Sequence, residues 1–284
     1  MAALPPYASP VERVWYYSFR VICALILFFL VFPLIVIVPL SFNAEPFFTF
    51  TDEMMALDPA GYSLEWYRDF LTNPNWQGAV WNSVVIAFFA TLISTSLGTL
   101  AALGLSRPVM PFRTLVMSLL ISPMIVPLII SAAGMFFFYS SIGLQGTHIG
   151  VILAHAALGT PFVVITVTAT LVGFDNNLIR ASSSLGATPV TTFFKVIVPL
   201  ITPGVISGAL FAFITSFDEV VVVLFVGSFD QRTIPWQMFS GIREQISPTI
   251  LAVATLLTFV SMCLLFTLEL LRRRNERMRG IRET

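Results

Sequence analysis

The sequence predicts an all-α polytopic membrane protein with six transmembrane helices. Its 284 residues are 57% hydrophobic and only 11% charged, whereas about a quarter of the residues in a soluble domain are charged. Such a chain cannot cover its surface with polar groups in water. A helix needs about 20 mainly apolar residues to cross the hydrocarbon core. Six runs meet this condition: 21–40 and, approximately, 78–105, 112–138, 150–172, 200–226 and 249–271.

Two of these runs carry features that need a separate interpretation. The first follows Arg13 and Arg20, an arrangement similar to the positive start of a signal peptide. Its apolar run is too long for a signal peptide and no small-residue cleavage site follows, so we interpret it as a retained signal anchor. The third run contains Pro123 and Pro127. Neighbouring helices can satisfy the carbonyl groups that proline frees, and we expect the two prolines to kink this span.

The basic residues predict the orientation of the chain. If both termini face the cytoplasm, 12 of the 15 lysines and arginines lie on that side, and only Arg68, Arg232 and Arg243 lie opposite. This asymmetry agrees with the positive-inside rule. The predicted domains are a cytoplasmic segment (1–20), a transmembrane domain (21–271) and a cytoplasmic basic tail (272–284), with outer loops at 41–77 and 227–247 and a cytoplasmic loop at 173–199.

The first outer loop is acidic, because it carries Glu45, Asp52, Glu53, Asp58, Glu65 and Asp69. A net acidic outer face attracts cationic solutes or a basic protein surface, and a solvated loop with aromatic anchors is the alternative interpretation. Residues 63–71 predict a short helix in the membrane interface that ends at Asn73-Pro74. Its apolar face comprises Leu64, Tyr67 and Phe70, and Trp66 is expected near the headgroups.

The sequence contains no signature of an enzyme. The phosphate loop G-x-x-x-x-G-K-[ST] and the H-E-x-x-H and G-x-S-x-G motifs are absent. Cys23 and Cys263 lie inside apolar runs, where they behave as small hydrophobic residues. His148 is expected near the outer interface, and a polar packing role is favoured for His155 inside the fourth span. We therefore predict neither a catalytic nor a metal site, and no cofactor in this chain.

The polar segment 173–199, between the fourth and fifth runs, predicts two short helices joined by a turn on the cytoplasmic side. This segment is termed the elbow. Gly186 is placed to end a first helix, because glycine adopts the left-handed conformation without a Cβ penalty. Thr188 and Pro189 then suit the N-cap and first turn of a second helix. Leu178, Ala181 and Leu185 recur at helical spacing and predict a small apolar face on the first helix.

This segment resembles the cytoplasmic loop of permease subunits of ATP-binding-cassette importers, whose pattern is E-A-A-x-x-x-G-x(9)-I-x-L-P. Ala181, Gly186 and Pro199 match outright, and Val196 and Val198 are conservative. Two positions depart from the family, since Arg180 stands where Glu is usual and Ser182 where Ala is usual. The resemblance implies contact with an ATPase subunit through Arg180, Ala181, Ser182, Leu185, Gly186, Ala187 and Pro199.

Further segments are similar to permeases of the spermidine/putrescine importer family. Ser216-Phe217-Asp218-Glu219-Val220-Val221 stands where that family commonly shows Ser-Leu-Asp-Asp-Val-Val, and Asn82-Ser83, Thr233-Ile234-Pro235 and Ser247-Pro248 also fit. The resemblance implies polyamine import through a multi-pass permease in the bacterial inner membrane. Its implied partners are a second, homologous permease, two cytoplasmic ATPases that bind ATP and Mg, and an extracytoplasmic solute-binding protein, with no nucleic acid. Arg232, Trp236, Arg243 and Glu244 are the candidate docking residues for the binding protein.

The candidate substrate path comprises Ser216, Phe217, Asp218 and Glu219. A charged carboxylate at the centre of a membrane helix costs roughly 2.5–3.5 kcal/mol, so such residues usually face an interior or a water-filled cavity. The 19 residues from Pro199 to Asp218 give about 28 Å of helix, which places the pair near the outer mouth of a path. Two interpretations stay open: a carboxylate that contacts a passing ammonium group, or a pair that caps backbone or meets Arg232 or Arg243.

Two alternatives to a polyamine importer follow. The same architecture could import another small solute, such as an amino acid derivative, an opine, a sugar or a metal chelate. A stand-alone secondary transporter is less favoured, because such carriers commonly show inverted repeats and ionisable residues in several spans. In this sequence no repeat is visible, and ionisable residues in the predicted spans are few.

Overall fold

The computed structural model describes residues 9–107, 109–175, 177–244 and 247–278, and within them the chain is helical with no β-strand. The α-helices are α1 (Pro10–Leu40), α2 (Asp52–Met55), α3 (Glu65–Thr72), α4 (Pro74–Leu105), α5 (Arg113–Ile125), α6 (Leu128–Ser141), α7 (His148–Val172), α8 (Asn177–Ser184), α9 (Pro189–Thr192), α10 (Val198–Phe217), α11 (Val221–Val226), α12 (Ile234–Glu244) and α13 (Thr249–Met278). Short 3₁₀ turns occupy Pro59–Gly61 and Phe229–Gln231, and a π-helical turn, Phe193–Ile197, joins α9 to α10.

Four helical segments of the described chain are long and apolar enough to cross a membrane: Pro10–Leu40, Pro74–Leu105, His148–Val172 and Pro189–Phe217. They correspond to the first, second, fourth and fifth predicted spans. α1 begins eleven residues earlier than expected, because Ser9 and Glu12 form a capping box at its start. α13 begins at Thr249 as predicted, and its apolar part within the described residues is the shorter stretch Thr249–Cys263.

The third predicted span is two helices and not one kinked helix. α5 and α6 meet at an angle of 101°. Val126, which precedes Pro127, is extended with φ −69° and ψ 133°, because the proline ring disfavours the helical conformation at the residue before it. Pro123 lies inside α5 without ending it. The sharp bend is therefore located at Val126-Pro127.

The fifth predicted span ends earlier than expected. One continuous helix over 200–226 is wrong, because α10 ends at Phe217 and α11 starts only at Val221. Asp218 forms the C-cap of α10. The two carboxylates of the candidate path thus lie in the break between two helices, where backbone N–H groups are available to them.

The chain divides into two compact units. One comprises the residues up to Asn73 together with those from Gly241 onward, and the other comprises Pro74–Ser240. In the first unit the segment after α1 is folded: the Trp66 indole N–H donates to the Asn43 carbonyl at 2.7 Å, and the hydroxyl groups of Ser41 and Tyr67 lie 2.6 Å apart. A short helix is present in the predicted region as α3, Glu65–Thr72, and Asn73 before Pro74 is its C-cap; its location in the membrane interface stays a prediction.

The second unit is built on close packing of α4, α7 and α10. Small residues recur every fourth position on α4 (Ala90, Ser94, Gly98, Ala102) and on α10 (Gly204, Gly208, Ala212, Ser216), and all eight are buried. A Cβ at Gly98 would lie 2.6 Å from Val163 Cβ of α7. Small residues allow such close approach of membrane helices. These three helices therefore form the packed scaffold of the second unit, and the segments that precede and follow α7 are attached to it.

Candidate functional site

The elbow begins with a helix end that requires glycine. Gly186 follows α8 with φ +80°. Its N–H donates to the Ser183 carbonyl at 3.0 Å, and the Ala187 N–H donates to the Ser182 carbonyl at 3.1 Å. These two bonds define a Schellman motif with Gly186 at the left-handed position. Nothing would lie within 4 Å of a Cβ at Gly186, so backbone conformation and not crowding selects glycine here.

The second arm starts as the sequence predicts. Thr188 is the N-cap of α9, and its hydroxyl accepts a hydrogen bond from the Thr191 N–H at 3.2 Å, with Pro189 in the first turn. The two arms are joined by the hydroxyl groups of Ser182 and Thr192, which lie 2.7 Å apart. Thr192 is buried. Ser182, one of the two departures from the family pattern, therefore has a partner inside the elbow that sequence reasoning missed.

Apolar and basic side chains of the elbow are exposed. The predicted face of Leu178, Ala181 and Leu185 is exposed, and the Leu185 side chain is 88% exposed. Arg180 and Pro199 are also exposed, and Ala187 is half-buried. Val190 and Phe194 on the second arm are also exposed, so apolar side chains are exposed on both arms of the elbow.

The candidate path residues have four different environments. Ser216 is buried, and its hydroxyl lies 2.8 Å from Nδ1 of the buried His155. Phe217 stacks on Phe213 with ring centroids 5.7 Å apart. Asp218 is exposed, whereas Glu219 is buried and its Oε1 accepts a hydrogen bond from the Val222 N–H at 2.9 Å. Glu219 therefore caps backbone, as one of the two interpretations predicts, and the Asp218 side chain is exposed.

A set of polar contacts, here termed the clamp, links Asn82 and Ser83 of α4 to His148 and to the segment 230–234. It lies at the end of α7 away from the elbow, and the sequence did not predict a site there. The Asn82 amide, buried on α4, donates to the Asp230 carbonyl at 2.7 Å and to the Arg232 carbonyl at 2.9 Å. Its Oδ1 lies 3.0 Å from Nε2 of His148, the first residue of α7. The Ser83 hydroxyl accepts from the Ile234 N–H at 2.8 Å. The available signal was Asn82 itself, because a buried amide near an apolar run needs partners.

The clamp orients two of the candidate docking residues. The Arg232 guanidinium lies over the Phe229 ring at 3.6 Å and over the Trp236 ring at 4.3 Å, which is cation–π geometry. Arg243 and Glu244 belong to α12, but their side chains lie outside the described residues. The clamp contacts His148, the first residue of α7, and the elbow follows Val172, the last residue of α7. The 25 residues of this helix therefore separate the two sites by about 37 Å.

Comparison with known proteins identifies the family. Residues 94–277, which include the elbow, match the family described as "Binding-protein-dependent transport system inner membrane component". The chain belongs to this family. It is therefore an inner membrane permease subunit of a binding-protein-dependent transport system, and the resemblance noted at the elbow is confirmed.

Individual relatives cover most of the chain. The spermidine/putrescine transport system permease protein PotC of Haemophilus influenzae is 32% identical, over 87% of this chain and 93% of the relative. The putrescine transport system permease protein PotI of Escherichia coli K12 is 31% identical, over 90% and 89%. A chain in the crystal structure of a bacterial ABC transporter involved in the import of the acidic polysaccharide alginate shares the fold, with TM-score 0.69, 14% identity and coverage of 95% and 99%.

Proposed function

We propose that this permease forms half of the translocation path of an ATP-driven importer and is driven through the elbow. The observation that carries the proposal is the elbow geometry: a glycine turn with φ +80° presents Leu185, 88% exposed, beside the exposed Arg180. In this proposal α8 is a cytoplasmic coupling helix that docks in a groove of an ATPase subunit. Six spans place both termini on the same side of the membrane, and the positive-inside rule makes that side the cytoplasm.

The proposed cycle follows from how the elbow is connected. ATP binding closes two ATPase subunits, and each draws the elbow docked in its groove. The π-helical turn Phe193–Ile197 and Pro199 pass this movement directly into α10, since no flexible loop intervenes. The cavity between this chain and a second, homologous permease then opens outward, a solute-binding protein releases solute into it, and hydrolysis restores the inward-facing state. ATP and Mg are held by the ATPases and not by this chain.

A glycine pair provides the test of coupling. Gly186→Val places a β-branched residue at φ +80° and is expected to reduce solute uptake at least tenfold while ATP hydrolysis continues. Gly143→Val is the matched control, because Gly143 also has a positive φ (+73°) and also has open space at its Cβ. Both variants incur a similar strain, roughly 1–2 kcal/mol. Equal uptake by the two variants would contradict coupling through the elbow.

For the substrate we propose a polyamine. The support is the identity to the polyamine permeases named above and the exposed carboxylate of Asp218, which suits an ammonium group. The test is the ATPase rate of the complete importer in nanodiscs with its solute-binding protein. Spermidine or putrescine is expected to stimulate that rate. Stimulation only by an amino acid derivative, opine, sugar or metal chelate would instead establish the alternative substrate within the same architecture.

A further inference from the structure

A buried histidine on α7 has no role in the proposed transport cycle. The His155 side chain is 1% exposed, and its Nδ1 lies 2.8 Å from the hydroxyl group of Ser216 on α10, which is 4% exposed. Its Nε2 is also buried and has no hydrogen-bond partner among the residues that the structure describes. Burial of a polar nitrogen without a partner is unfavourable, and an apolar residue would fill the same space without that cost. The contact with Ser216 is therefore the feature that a histidine provides here.

The contact between His155 and Ser216 continues a row of close contacts between α7 and α10. One helical turn away along both helices, a Cβ at Gly159 would lie 3.0 Å from the Cβ of Ala212. Such contacts between small apolar groups restrict the distance between the helices but not their direction. A hydrogen bond depends on direction as well as on distance. The buried pair therefore fixes the last turn of α10 both along α7 and around the α10 axis.

Ser216 lies two residues before Asp218, in the turn that leads into the break between α10 and α11. On the other side of the break Glu219 is buried, and its Oε1 accepts a hydrogen bond from the Val222 N–H at 2.9 Å. Asp218 itself is exposed. The chain is thus anchored in the interior on both sides of Asp218, through His155 before it and through the cap of α11 after it. The exposed carboxylate is consequently held in one place.

We propose that His155 is a positioning residue for solute contact: by holding Ser216, it fixes the last turn of α10 and thereby the carboxylate of Asp218. A carboxylate already held in place pairs with an ammonium group at a lower entropy cost than one that must first be ordered. The inference rests on the proposed function, in which Asp218 contacts a polyamine. Ser216, predicted as a path residue, belongs to the same support, because its buried side chain is not accessible to a passing solute.

The test is a double-mutant cycle between His155 and Asp218, made in the complete importer in proteoliposomes with its solute-binding protein. The measured quantity is the spermidine taken up per ATP hydrolysed, which does not depend on the amount of folded importer. His155→Leu is expected to lower this ratio about tenfold, because a misplaced contact group loses most of its effect. In the Asp218→Asn background the same substitution is expected to cause no further loss, since residues that act together are not additive.

Three further variants separate positioning from a general effect on stability. His155→Asn retains a polar atom close to the position of Nδ1 and is expected to restore most of the ratio. Val163→Ala is the matched structural control, because Val163 is fully buried on the same helix. It is expected to lower thermal stability through the cavity that it leaves and to keep the wild-type ratio. Ser216→Ala removes the other partner of the hydrogen bond and replaces His155→Leu in the cycle if that variant does not fold.

Two outcomes would overturn the inference alone. These are additive losses in the double variant, and a ratio in His155→Leu equal to that in Val163→Ala. The proposed function then stands as long as the wild-type importer takes up spermidine and Asp218→Asn lowers that uptake. If the wild-type importer takes up no spermidine, or if Asp218→Asn leaves the uptake unchanged, the proposed solute contact itself fails and the positioning role fails with it.

Discussion

At the scale of single residues, Asp218 and Glu219 are adjacent in the chain but differ in surroundings. Glu219 is buried and caps α11 through the Val222 N–H, whereas Asp218 is exposed at the end of α10. A capping carboxylate contributes to stability, and an exposed one is available to a solute. Glu219 therefore has a structural role, and Asp218 is the residue that we propose to contact the solute.

We expect Asp218→Asn to reduce polyamine uptake by roughly 10–100-fold without changing stability, because a charge-assisted hydrogen bond contributes about 1.5–3 kcal/mol. Glu219→Ala is expected to lower the free energy of unfolding by about 1 kcal/mol through loss of the cap. Uptake assays and thermal melts in detergent measure the two effects. An unchanged uptake in Asp218→Asn would remove this residue from the substrate path.

At the scale of helices, α4 illustrates how position on a helix decides the role of a glycine. Gly98 faces Val163 at a distance that leaves no room for a Cβ, whereas Gly104 on the same helix has nothing within 4 Å. Both are glycines in an apolar helix, and nothing in the local sequence distinguishes them. Only the packing of α4 against α7 does.

Gly98→Ala is expected to destabilise the protein by about 1–3 kcal/mol, because the added methyl group overpacks the α4–α7 contact. Gly104→Ala is expected to be neutral or to stabilise by up to about 1 kcal/mol, since alanine favours a helix over glycine. Thermal melts of the two variants in the same detergent provide the comparison. A loss of stability in Gly104→Ala equal to that in Gly98→Ala would argue against the packing explanation.

At the scale of the whole molecule, the charge asymmetry predicts the orientation that the proposed function requires. If the chain has the six predicted spans, 12 of the 15 basic residues fall on the same side as the elbow. The turn between α6 and α7 then faces outward. Gln145 in that turn and Ser184 in the elbow are both exposed, so they can report the two sides.

After Cys23 and Cys263 are replaced by serine, a membrane-impermeant maleimide is expected to label Gln145→Cys in intact spheroplasts. Ser184→Cys is expected to react only after the membrane is permeabilised. Mass spectrometry of the labelled chain measures both reactions. The reverse pattern would invert the topology and place the elbow out of reach of a cytoplasmic ATPase.

The sequence by itself determined the helical class, most span positions and the elbow, because these depend on local patterns. Apolar runs specify spans through their length, and Gly186, Thr188 and Pro189 specify a helix end and a helix start through their own backbone preferences. The wider family resemblance was also readable, since motif residues stand at fixed spacing. Such features need no knowledge of distant contacts.

Only the tertiary structure decided which polar residues meet. The Asn82 clamp joins residues about 150 positions apart, the Ser182–Thr192 bond joins two helices, and the bend at Pro127 is far sharper than a kink. Each reflects a balance between burial of polar groups and packing of neighbouring helices, which local sequence does not contain.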